Sequence, residues 1–271
     1  MKIFRTVEEF FKYYIEEEQS FLKVETEKQD LYIDIYNLCI TNLDNVEYVF
    51  IIGSLYYYGK GIENDYDKAL EFFLKAADMG FSRAANNLGI YYYDGVACER
   101  DTEKSFYWFQ KAAFMGDKRG YANLGSFYER GELVEKDLNQ AFEYYYKAAE
   151  LGNPNAMNTV GVWYERGQCV EKDINKAFYW YQQSALLDNP SGNVNLGRCY
   201  QHGFGCEKDP YLAFKCYEKA VELGNVNAIY SLALCYQLGI GCEKDGEHAF
   251  ILYKEAAEKG VVLIDTTGTD G

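Results

Sequence analysis

The sequence predicts an all-α protein, a solenoid of helix–turn–helix repeats. Three observations carry that expectation. One motif recurs at a single fixed spacing, each copy holds residues that start and stop two helices, and no stretch carries a catalytic signature. Gly53, Gly89, Gly125, Gly161 and Gly197 follow one another at steps of 36 residues, with Ala233 next in the series. Tyr56, Tyr92, Tyr128, Tyr164, Tyr200 and Tyr236 keep the same step, as do Gly59, Gly95, Gly131, Gly167, Gly203 and Gly239. A long, regular period of this kind marks units that cannot bury their apolar faces alone and stack on their neighbours.

Residues 1–44 lie outside the period and are expected to form an N-terminal helical cap. Thr6 and Glu9 make a capping box, and Val7, Phe11, Tyr14, Phe21 and Leu22 follow at helical spacing, which predicts a helix from about Thr6 to Glu25. The next stretch reads two ways. Leu31, Ile33 and Ile35 alternate as in a strand, whereas Leu31, Ile35 and Leu38 suit a helix, the expected choice because a solenoid end needs a helical cap.

The repeats run over 45–80, 81–116, 117–152, 153–188, 189–224 and 225–260, as one continuous domain. In each, helix A ends in a Tyr-x-x-Gly turn. Asp65, Asp101, Asp137, Asp173, Asp209 and Asp245 then stand where a carboxylate caps helix B, and Pro210 occupies a first helical position. Gly80, Gly116, Gly152, Gly224 and Gly260 fit a left-handed stop after helix B, with Asp188 in that slot once. The glycine inside helix A costs about 1 kcal/mol relative to Ala. Close packing against helix B, where Ala69, Ala76 and Ala77 are also small, is the expected reason. The tail 261–271 opens on Val261-Val262-Leu263-Ile264, expected to fold over the last helix or to mediate self-association.

The pattern Ala-x-x-Asn-Leu-Gly-x-x-Tyr-x-x-Gly, then Asp-x-x-Lys-Ala, then Lys-Ala-Ala-x-x-Gly, as in Ala84 to Gly116, resembles the Sel1-like repeat family, a branch of the tetratricopeptide superfamily. The resemblance covers the six repeats. It implies a right-handed α-α superhelix whose members act as adaptors, scaffolds or regulators in protein complexes, generally without catalysis of their own. Ala233, Asp188 and Val221 depart from the pattern. Cysteine-rich secreted relatives form bridges at positions that correspond to Ala77 and Ala84, and this chain has no cysteine at either.

With helix A lining the concave face, as the resemblance implies, one stripe of helical spacing points into the groove. Its partner-binding candidates are Asn87 and Tyr91; Asn123, Phe127 and Arg130; Trp163 and Arg166; Asn195 and His202. Tyr, Trp and Arg are the residues that binding hot spots use, asparagine hydrogen-bonds the backbone of an extended peptide, and Arg130 and Arg166 suit a partner carboxylate. A structural reading stands beside this one: the Asn slot belongs to the repeat pattern, and Phe127 and Trp163 pack between units.

Charge and composition narrow the function classes. A formal charge of −15 argues against nucleic acid or an anionic membrane as partner and is compatible with a basic protein. No stretch reaches the roughly 18 apolar residues of a membrane span. Glu8 and Glu9 interrupt the N-terminal region before a secretory signal can form. The one Asn-x-Ser sequence is blocked by Pro190, so a cytoplasmic location is expected.

The eight cysteines read as core filling, Cys98, Cys206 and Cys242 sharing a slot with Ile62, Val134 and Val170. The spacing Cys199 to Cys206 recurs in Cys235 to Cys242, which leaves a disulfide pair per unit open in an oxidising compartment. With His202 and His248 as the only histidines and no close Cys-x-x-Cys pair, no catalytic residue, metal site or cofactor is expected. Two classes remain: a non-enzymatic adaptor or scaffold that holds a partner peptide or helix in the groove, and an acidic inhibitor of the immunity type that caps a basic enzyme.

Overall fold

The computed structural model describes residues 2–4, 7–11, 24–26, 30–96 and 98–260. Near the N-terminus, β1 (Lys2–Phe4) pairs in parallel with β2 (Val24–Thr26), and α1 (Val7–Phe11) lies between them in sequence. The helix expected over Thr6–Glu25 therefore does not reach its far end. Val24 and Thr26 are β-branched and favour the strand, a preference the capping box at the other end does not oppose. The middle of that expected helix lies outside the described residues.

The ambiguous stretch is a helix, α2 (Asp30–Ile40). Leu31, Ile35 and Cys39 are buried, whereas Ile33 is 41% and Leu38 39% exposed, so the buried ridge advances four residues at a time. The tail 261–271 lies outside the described residues.

The chain divides into two compact units, Met1–Asp137 and Leu138–Gly271. Beyond α2, the first holds α3 (Val46–Tyr58), α4 (Tyr66–Asp78), α5 (Ser82–Asp94), α6 (Thr102–Phe114) and α7 (Lys118–Arg130). The second holds α8 (Leu138–Glu150), α9 (Pro154–Arg166), α10 (Ile174–Leu186), α11 (Pro190–His202), α12 (Pro210–Glu222), α13 (Val226–Leu238) and α14 (Gly246–Glu258). Odd numbers from α3 onward are helices A and even numbers from α4 are helices B. Within each unit consecutive helices pack on one another, α3 on α4 and α5 on α6 in the first, α9 on α10 and α11 on α12 in the second.

The expected punctuation forms. The carboxylates of Asp65, Asp101, Asp173, Asp209 and Asp245 accept the amide three residues on, at 2.8–3.0 Å. Each such bond satisfies one of the free amides of the first turn and is worth about 1 kcal/mol. Asp188 takes the left-handed conformation of the closing glycines at φ 54°, and Lys219 reaches its carboxylate at 3.2 Å.

The glycine inside helix A answers to an aromatic ring rather than to small residues alone. A methyl on Gly161 would stand 2.7 Å from the ring of Tyr181, and one on Gly197 would stand 2.8 Å from that of Tyr217. Gly53 faces Phe73 in the same way. Ala69 and Ala76 are fully buried, yet the side chain laid over the glycine is the ring of the same repeat's helix B.

Ser105 fills a slot that is Ala69, Ala141, Ala177, Ala213 or Ala249 elsewhere, fully buried and with no hydrogen-bond partner for its hydroxyl. A buried hydroxyl without a partner costs about 1–3 kcal/mol. Ser105→Ala is expected to stabilise the first unit by about 1 kcal/mol; a lowered midpoint in denaturant would show that the hydroxyl is satisfied.

Candidate functional site

Helix A presents one ridge outward, and the residues on it differ by one position from the stripe expected. Tyr91, Phe127, Trp163 and Cys199 are 1–3% exposed. Trp163 stacks on Phe142 at 5.9 Å and meets Tyr145 edge-on at 5.7 Å, both on α8 of the preceding repeat. Phe127 packs likewise against Phe106 and Phe109 of α6. These aromatics join successive repeats and keep little exposed surface, as the structural reading of that slot expects. The position before it, about 100° around the helix, is more open: Ile90 is 37% exposed, and Ser126, Val162, Arg198 and Leu234 are half-buried, Val162 against the core of its unit.

The asparagine slot is half-buried and partly engaged. Asn123 donates from Nδ2 to Oδ1 of Asn86 at 2.9 Å, and Asn195 donates to Asn158 at 2.8 Å. These bonds tie adjacent helices A across repeats. Asn87 is half-buried on the same row.

In the first unit the ridge borders an open cavity of about 160 Å³ between α5 and α7. Phe109 and Phe127 form its apolar floor, Ile90 a wall, and Asn123, Ser126, Asp94 and Arg130 its polar edge. Three expected site residues, Asn123, Phe127 and Arg130, therefore meet here, Phe127 as floor. Arg130 donates from Nη1 to the Tyr93 hydroxyl at 3.1 Å, which donates to Glu132 Oε2 at 3.0 Å. Arg100 pairs with the other oxygen of Glu132 and lies 4.3 Å over the Tyr93 ring. Glu132 is thus neutralised by Arg100, and Arg130 keeps an exposed guanidinium on the edge.

In the second unit Arg166 and His202 are exposed at the ends of their helices, and His202 stacks on Phe204 at 5.3 Å. Arg198 meets Glu165 at 2.5 Å, and the Tyr181 hydroxyl donates to the same carboxylate oxygen at 2.5 Å. Burial and the Glu165 charge hold Tyr181 well above the ordinary tyrosine range, so it remains a donor. Tyr217 and Tyr253 donate to Gln201 and Gln237 in the same geometry, at 2.8 and 2.7 Å. The signal was readable: where helix B carries tyrosine, the helix A slot sixteen residues earlier is Glu129, Glu165, Gln201 or Gln237, and where helix B carries Phe73 or Phe109 the slot is Tyr57 or Tyr93.

The cysteines divide. Burial raises the thiols of Cys199 and Cys235 to about 12, as it does that of Cys39, which suits inert core residues. Cys98 and Cys169 are exposed, against their expected place in the core. Among the described residues no group of three or more His, Cys, Asp or Glu side chains is placed to hold a metal ion, and no helix is long and apolar enough to cross a membrane.

The family model of the Sel1 repeat matches residues 49–81, 82–117, 119–153, 154–189, 190–225 and 226–261. A solved Sel1 repeat protein from Oxalobacter formigenes is similar at 29% identity and a TM-score of 0.76, covering 86% of this chain and all of that one. A protective antigen of uropathogenic Escherichia coli strains is similar at 28% identity and a TM-score of 0.70, over 94% of this chain and 53% of that one. An immunity protein from Pseudomonas aeruginosa shares the fold at 21% identity and a TM-score of 0.52, covering 71% of this chain and 74% of that one. A comparison with curated proteins gave no match.

Proposed function

The chain belongs to the Sel1 repeat family, whose members generally mediate protein–protein interaction, and from that premise we propose that it is a non-enzymatic adaptor or scaffold that binds a segment of a partner protein along the outward ridge of its helices A. The observation that carries this reading is the open cavity beside Ile90, Asn123, Ser126 and Arg130. Its aromatic floor takes an apolar side chain. The asparagine and serine on its edge serve a peptide backbone, and Arg130 serves a carboxylate. Arg166, Arg198, Asn195 and His202 repeat the polar part of this pattern in the second unit. The surface supplies shape and hydrogen bonds.

Affinity capture from the source cell, with the native chain as bait beside an Ile90→Asp/Arg130→Glu variant, tests the reading. Both substitutions change exposed side chains, so the melting temperature should hold within a few degrees. The expected result is loss of a captured partner with the variant. A partner retained in full, with the variant folded, would place binding elsewhere.

The net charge of −15 favours a second reading, an acidic inhibitor that caps a basic partner. Long-range attraction between exposed charges is screened within about 8 Å at physiological salt. That reading expects a basic partner that keeps its hold on the variant and dissociates as salt rises.

A further inference from the structure

The outer side of helix B carries a second pattern, independent of the ridge on helix A. Two outward slots seven residues apart are charged in the first, third and fifth repeats: Glu71 and Asp78, Glu143 and Glu150, Lys215 and Glu222. In the second and fourth repeats they are apolar and exposed: Tyr107 (49%) and Phe114 (93%) on α6, Tyr179 (52%) and Leu186 (71%) on α10. Leu187, next to Leu186, is also 49% exposed. Among the helices B, α10 alone has no acidic residue.

We propose that α10 is a homodimer contact, pairing antiparallel with α10 of a second copy about a two-fold axis near Gln182 and Gln183. Charge selects the occupant. Two chains of −15 repel, and apolar contact between them is favoured where neither brings a carboxylate into the interface. The face is also self-complementary, as a two-fold contact requires. About an axis at Gln182 and Gln183, Tyr179 of each copy meets Leu186 of the other. The glutamine amides, each both donor and acceptor, pair across the axis.

Lys176, exposed at the start of α10 and 3.6 Å from Asp173 of its own chain, comes level with Asp188 beyond the end of its partner helix. Asp188 replaces a closing glycine and adopts φ 54°, a conformation that a residue with a side chain rarely takes. Its carboxylate is 65% exposed despite the bridge to Lys219, so it remains open to a second cation. The face of α6 fails the same test. Lys111 stands in the slot of Gln183 there and would meet its own copy across the axis.

A single antiparallel helix pair buries less than a standard interface of about 1,600 Å², so the association is weak. Sedimentation velocity of the full chain over about 1–300 µM should show a reversible monomer–dimer equilibrium. Leu186→Glu copies Glu150 and Glu222 of the neighbouring repeats, so the fold tolerates it, and should weaken the dimer about 100-fold or more. Gln183→Lys, which copies Lys111, Lys147 and Lys219, should weaken it about tenfold, the loss shrinking as salt rises. Phe114→Glu on α6 should leave the equilibrium unchanged. A monomer throughout the range overturns the proposal. So does a dimer that survives Leu186→Glu, or one lost when residues 261–271 are removed.

Discussion

Trp163→Ala is expected to unfold much of the second unit rather than to erase a binding site. The indole is 3% exposed, stacked on Phe142 and edge-on to Tyr145, so its removal leaves a cavity where α8 and α9 meet. Truncation of a buried Trp to Ala typically costs about 3–5 kcal/mol, against a net stability of roughly 5–15 kcal/mol for a whole protein. In a repeat array that cost falls on a nearest-neighbour interface, so the helices on either side should loosen together. Urea denaturation followed by far-UV circular dichroism checks this. A loss of stability under about 1 kcal/mol would mean that Trp163 is more exposed than the structure shows.

Gly161→Leu should be nearly as damaging, and Gly161→Ala close to neutral. A Cβ at this position already stands 2.7 Å from the Tyr181 ring. One methyl asks that ring to draw back to ordinary contact beyond 3.4 Å, and Ala recovers about 1 kcal/mol of helix propensity, which offsets the shift. The sixth repeat shows the result: Ala233 occupies the slot, and Tyr253 still bonds Gln237 at 2.7 Å. An isobutyl group cannot share the space. It must expel the ring from its bed and break the Tyr181–Glu165 bond of 2.5 Å, for a combined loss of about 3–5 kcal/mol. Thermal melts of the two variants separate these cases, and similar melting points would refute the account of the glycine as a bed for the ring.

The sequence was most readable where one residue type has one physical role. Aspartate at a helix start and glycine in a left-handed stop each answer a local backbone demand, so helix ends and turns followed from spacing alone. The outward ridge was harder. Neighbouring helical positions differ by about 100°, and aromatics such as Tyr91 and Trp163 suit an exposed hot spot as well as an inter-repeat joint. Only packing separates the two, and it moves the ridge one residue back, to Ile90 and Ser126. The exposed thiol of Cys98 was missed because the loop after helix A holds both half-buried and exposed apolar residues, such as Ile62 and Leu133. The strand at Val24–Thr26 depends on its pairing with Lys2–Phe4, a contact between segments twenty-two residues apart that no local pattern announces.

The central claim is that a partner lies on the outward ridge of the helices A. Site-specific photo-cross-linking tests it most directly. A benzophenone side chain is placed at Ser126, on the cavity edge, and in a second variant at Gln110, on the outer side of α6 between Tyr107 and Phe114. Each is irradiated with the partner identified by capture. An adduct from position 126 and none from position 110 is the predicted result. An adduct from position 110 alone would put the partner on the outer face of the helices B and contradict the account.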